Sequence, residues 1–129
     1  MTRFADPQLA TLAILRALPG DGPRYGTRAP DDLPDRDAPV LPYAQVRAGT
    51  AAVRWPVAAT VPIRIVVWAA SEAAATALAW RLHGALLDFP GGPQVRGFGA
   101  DLGPAPTSDP DTGNPLAAFT VLARLRPIP

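Results

Sequence analysis

The run Ile63-Arg64-Ile65-Val66-Val67-Trp68 breaks at Ala69-Ala70-Ser71-Glu72 and passes straight into an alanine-rich segment ending near Leu87. A short apolar, β-branched run reads as a strand, and here it hands over to a helix at a capping residue. The Ser71 hydroxyl can accept a backbone N–H of the first turn, and Glu72 sits near the positive end of the helix dipole. Within the predicted strand, Val61 to Trp68, Ile63, Ile65 and Val67 share one face while Arg64, Val66 and Trp68 share the other. Both faces are largely apolar, so something is expected to pack on each, from the same domain or from a neighbouring subunit. Pro62 is expected at the strand's beginning or at a bulge.

The helix after Ser71 has a less obvious orientation. Placing Leu78 at the centre of its core face brings Ala74, Ala75, Leu82, Ala85 and Leu86 alongside it. Trp80 and Leu87 then point away, beside Thr76, His83 and Gly84. Scattered surface apolar residues are normal, and that reading stays open. The sharper one is a subunit contact with Trp80 as its anchor, because aromatic residues are enriched at interface centres. Leu87, Thr76 and His83 would share that contact, with Arg64 and Trp68 contributing from the strand.

An earlier helix is predicted from Pro7 to Leu18. Asp6 is its N-cap, Pro7 occupies the first helical position, and Pro19-Gly20 ends it. Phe4, Leu12, Ile14, Leu15 and Leu18 form its core stripe, with Ala10, Ala13 and Arg16 elsewhere. A Pro-, Gly- and Asp-rich stretch from Asp21 to Pro42 follows, with room for one short strand around Arg24 to Arg28. Tyr43 to Arg47 and Ala52 to Val57 read as strands about a Gly49 turn. Gln94 to Leu102 and Leu116 to Arg126 read as the last two strands. The stretch between them, Gly103 to Pro115, reads as a loop about twice the usual length. Gly97-Phe98-Gly99 suggests a bulge or a close backbone approach. The expected fold is therefore a single α+β domain over residues 1–129. Its sheet is mostly antiparallel, of about four to five strands, with two helices packed on it.

The chemistry available is narrow. The chain has no cysteine, one histidine and no lysine, and its twelve basic residues against eleven acids leave a net charge of +1. Without cysteine there are no disulfides and no thiolate ligands or nucleophiles. His83, mid-helix and opposite the core, makes a poor general base, and no glycine-rich phosphate loop is present. No catalytic residue, cofactor site or metal site is expected. The aspartates Asp31, Asp32, Asp35 and Asp37 lack the glycine spacing of a calcium loop. Asp109-Pro110-Asp111-Thr112-Gly113 imitates the opening of one without its closing glutamate.

Twenty-five alanines, seventeen prolines and one asparagine suit a GC-rich genome. No segment is long and apolar enough to span a membrane. The amino terminus lacks a signal peptide's core and cleavage site, so a reducing compartment is expected. Arg47, Arg54, Arg64 and Arg81 fall in a segment whose one acid is Glu72. They form either ordinary ion pairs or contacts with acidic partners or nearby DNA. The overall charge is too near neutral for a protein that holds nucleic acid by charge alone.

The order of events resembles the tail terminator, or tail completion, proteins of long-tailed bacteriophages and gene transfer agents. The likeness is carried by Pro7 to Leu18, Ile63 to Ala70, Ser71 to Leu87 and Pro110 to Arg126, and it spans nearly the whole chain. It departs from the pattern at Trp55-Pro56 and Pro62, which interrupt the expected hairpin. The resemblance implies a ring-forming subunit, a hexamer, that caps the tail tube, ends its polymerisation and offers a surface to the head connector. The partners it implies are further copies of the chain, the tail tube protein and a head-closure or connector protein. DNA would pass through the ring without sequence-specific binding, at the tail–neck junction of a virion assembled in the host cytoplasm. Asp31, Asp32, Asp35, Asp109 and Asp111, in the two Pro/Asp loops, are the expected tube or connector contacts. Another neck ring protein, or a small non-viral α+β binding domain, are the alternatives.

Overall fold

The computed structural model describes residues 1–29, 41–109 and 113–129. Among the described residues eight elements follow one another: α1 (Pro7–Arg16), β1 (Arg24–Gly26), β2 (Tyr43–Ala48), β3 (Ala52–Arg54), β4 (Ala58–Trp68), α2 (Glu72–Leu87), β5 (Val95–Ser108) and β6 (Pro115–Leu125). The fold is α+β, and its sheet runs in the order β1-β2-β4-β6-β5 with β3 added to β4, six strands rather than four or five. Every pairing is antiparallel except that of β1 with β2.

Both caps form as the residue types dictate. The Asp6 carboxylate accepts the backbone N–H groups of Gln8 and Leu9 at 2.9 and 3.1 Å, and Ser71 Oγ accepts that of Ala74 at 3.1 Å. The helix stripes are rotated from expectation. In α1 the buried positions are Ala10, Thr11, Leu12 and Leu15, so Ala10 belongs to the core and Ile14 only flanks it. In α2 the buried positions are Ala75, Ala79, Leu82 and Leu86, which moves the core centre one residue past Leu78 and leaves Ala74 exposed. A helix lying on a sheet can approach most closely through alanine, and that steric fit outweighs the size of Leu78.

One apolar core joins both helices to one face of the sheet, through Ile63, Ile65 and Val67 of β4 and Ala117, Phe119, Val121 and Ala123 of β6. The opposite face is not covered in the same way. At one end Tyr43, Trp68 and Leu116 form a second, small buried cluster. Further along, Arg64 is exposed and Val66 only half-buried, so among the described residues the expected cover over this face of β4 is present at its Trp68 end.

The strands depart from expectation where proline and alanine misled. β4 begins at Ala58, not Val61, because β3 and β6 both pair with those first residues. Pro62 is tolerated inside it for a specific reason. Its carbonyl accepts the Gly49 N–H at 2.8 Å, so its nitrogen faces the same edge, across the gap between the end of β2 and the start of β3. No ladder donor is required there. The Gly103–Pro115 loop does not exist as such. β5 runs through to Ser108, paired with Pro115, and Pro104 and Pro106 fit because β5 is an edge strand with one side unpaired. Register shifts interrupt β5 at Val95/Gly97, the bulge that Gly97 suggested, and again on either side of Leu102. The hairpin closes through Asp109 N–H to Asn114 O at 2.9 Å and Gly113 N–H to Asp109 O at 2.8 Å.

Candidate assembly surfaces

α2 presents Trp80 to solvent at 55 % exposure, over the β5 edge of the sheet. The indole is held from below: it meets the His83 ring edge-on at 5.6 Å, and His83 meets buried Phe119 edge-on at 5.2 Å. A glycine at position 103 brings the β5 backbone under the indole, since a Cβ there would stand 3.9 Å from its Cη2. His83 is thus the half-buried middle of an aromatic stack. Thr76 is half-buried on the same helix. Leu87 does not share this outward surface; it packs against the main core.

A second apolar surface went unrecognised in the sequence. β3 and the turn that follows it carry Val53, Trp55 and Val57, each more than half exposed, with Trp55 at 64 %. Trp55 is braced by Phe4, whose ring lies edge-on at 6.0 Å, and the Trp55–Pro56 bond is cis. The available signal was the apolar Val57-Ala58-Ala59 lead into the strong strand, which makes Val53-Arg54-Trp55 the outer arm of a hairpin. β3 occupies the edge of β4 opposite β6 and β5, so the two exposed tryptophans stand at opposite edges of the sheet.

The remaining candidates divide. Trp68 is buried against Tyr43 at 6.2 Å, and its Nε1 donates to Asp109 Oδ2 at 3.1 Å. Those two side chains are engaged inside the subunit, where they tie the β5–β6 turn to the end of β4. Asp31, Asp32, Asp35 and Asp111 lie outside the described residues. Arg64 is exposed on the sheet face opposite the one α2 packs against, so it does not share Trp80's surface.

A cleft of about 660 Å³ opens between the end of α1, the Pro19–Tyr25 segment and α2. Its titratable lining is Arg16, Asp21, Arg24, Tyr25 and Arg81. Arg16 donates to Tyr25 O at 3.2 Å and Arg81 to Asp21 O at 3.3 Å, so both guanidinium groups brace the loop wall. Burial pushes the Tyr25 phenol above its usual range, with Arg81 pulling the other way. The cleft contains no nucleophile–base pair. Among the described residues, no three His, Asp or Glu side chains gather where they could hold a metal ion, and no helix is long and apolar enough to cross a membrane. No family model matches this chain, and no curated protein matches it in sequence.

Proposed function

We propose that the chain is a structural ring subunit of the tail-completion type, capping a phage-like tail tube as a hexamer and presenting a joining surface to the head connector. The observation that carries the reading is the pair of braced, exposed tryptophans at opposite edges of one sheet. An apolar surface at each of two different edges suits head-to-tail contacts, which close into rings when the rotation permits. Aromatic residues held rigid by their neighbours lose little freedom on docking, as interface anchors should. In this reading the described chemistry serves assembly, not catalysis, and the tube and connector contacts fall to surfaces outside the ring interface.

Solution mass tests it. Wild-type protein should form a ring of about six copies, alone at high concentration or on added tail tubes. Trp80→Asp should remain folded yet fail to assemble, because a charge would enter a desolvated contact. A wild-type chain that stays monomeric at high concentration and in the presence of tubes overturns the proposal. His83→Gln should keep tail completion near normal wherever assembly is intact. Loss of function in a ring-competent His83→Gln protein would point back to catalysis.

A further inference from the structure

The cleft between the end of α1, the Pro19–Tyr25 segment and α2 joins an apolar floor to a basic rim, and described residues line it throughout. Leu15 and Leu82 are buried beneath it, and Ala85 is half-buried at its side. The loop wall is stiffened by Pro19 and Pro23, while Gly20 turns the chain at a φ of 87°. Arg16 reaches that wall at Tyr25 O and Arg81 reaches it at Asp21 O. Both acceptors are carbonyl oxygens, so these bonds neutralise neither guanidinium charge and use few of its N–H donors. The Tyr25 phenol lies within the field of Arg81, and burial keeps it protonated at neutral pH, as a donor. Glycine at position 22 leaves the phenol room, since a Cβ there would stand 3.3 Å from its hydroxyl.

We propose that this cleft binds a small amphipathic monocarboxylate, its apolar body on Leu15, Leu82 and Ala85 and its carboxylate on Arg81 and the Tyr25 hydroxyl. At about 660 Å³ the cleft has the size of a small-molecule site, and an apolar lining with a few converging polar groups is the usual make-up of one. The charges select the class of ligand. Arg16, Arg24 and Arg81 line the cleft against one carboxylate, Asp21, which leaves it net positive. Asp21 and the carbonyl end of α1 both border it, however, and each disfavours a second negative charge. A dianion such as phosphate would also leave the apolar floor without a partner. One carboxylate on a hydrocarbon body satisfies both halves of the cleft, and its geometry matches the guanidinium fork. The site is complete within one subunit and does not depend on ring formation.

The test is titration of isotope-labelled protein with octanoate, followed by backbone amide NMR shifts. Saturation is expected with a Kd of about 1 mM, with the largest shifts at Gly20, Asp21, Gly22 and Tyr25 and along residues 81–85. Octanol has the chain without the charge and inorganic phosphate the charge without the chain; each should bind at least about tenfold more weakly. Arg81→Gln should weaken octanoate binding about tenfold, and Arg81→Lys, which keeps the charge and a donor for the wall, should lose less. Tyr25→Phe leaves the wall's backbone bonds in place and should weaken binding about threefold. Arg64→Gln, on the opposite sheet face, should leave the Kd unchanged. Absence of saturable shifts at about 20 mM octanoate would overturn the proposal, as would octanol or phosphate binding as tightly as octanoate. Equal effects of Arg81→Gln and Arg64→Gln would do the same. So would shifts centred on the smaller apolar groove between α1 and the Phe89 to Val95 segment.

Discussion

Trp68 and Asp109 illustrate how one side-chain pair can decide the fate of an element. The indole N–H is buried, and the Asp109 carboxylate is its partner. Asp109→Ala would leave that donor unpaired in an apolar cluster, costing about 1–3 kcal/mol. Urea unfolding should show that loss, and Asp109→Asn, which keeps an acceptor oxygen, should lose less. The tyrosines make a second residue-scale prediction. Burial raises the phenols of both Tyr25 and Tyr43; Arg81 opposes the shift in the first, Arg24 most strongly in the second. Above pH ~10 the unfolded chain releases these protons while the folded chain retains them. Their contribution is therefore complete below pH ~10 and is lost as pH rises through the folded values. Stability measured by denaturant should fall as pH rises above ~10, and Tyr25→Phe should flatten that decline. A decline unchanged in Tyr25→Phe and Tyr43→Phe would remove the phenols as its cause.

At the scale of elements, β1 is held to β2 by three parallel pairs, and its closest fit is at Gly26. A Cβ there would fall 2.1 Å from the Tyr43 hydroxyl, which donates to Arg28 O at 2.7 Å. Gly26→Ala should therefore displace the phenol or detach β1, lowering the melting temperature by several degrees. Restored stability in Gly26→Ala/Tyr43→Phe would confirm the steric cause. The sequence made the strongest elements visible because local rules and tertiary packing agreed on them: Ile63 to Trp68, the Ser71 cap, α2 and the Asp6–Pro7 start of α1. It concealed others where the two conflict. Ala58 to Thr60 has little strand preference and is drafted into β4 by partners on both sides. Pro104 and Pro106 read as loop because proline blocks a ladder, but an edge strand leaves positions where no donor is needed. Outward Trp80 was legible from helical phase alone. Leu87 was not, since the rotation of α2 is set by which alanines touch the sheet. Asp109 carried loop character in sequence, and only its distant partner, forty-one positions back at Trp68, reveals a structural role.

The whole molecule is two-ended, with exposed Trp55 and Trp80 at opposite edges of the sheet. If the Trp55 edge of one copy meets the Trp80 edge of the next, every subunit uses both surfaces once and the chain of contacts closes on itself. The two surfaces then have separable genetics. Trp80→Asp and Trp55→Asp should each abolish rings, since each spoils one half of every contact. Trp55→Asp removes the ring edge from Phe4 as well, so melting curves should accompany the mass measurement. Mixed in equal amounts, the two variants regain one intact contact: the Trp55 surface of the Trp80→Asp chain meets the Trp80 surface of the Trp55→Asp chain. The pair cannot grow, because both outer surfaces carry an aspartate. Sedimentation of the mixture should therefore show a heterodimer that neither variant forms alone. A symmetric arrangement predicts otherwise, because a two-fold contact places the same patch on both sides. There, one variant would leave an intact dimer through its unaltered patch, and mixing would add nothing. Dimers from either variant by itself would thus exclude the head-to-tail ring, and with it the assignment of these two edges to one interface.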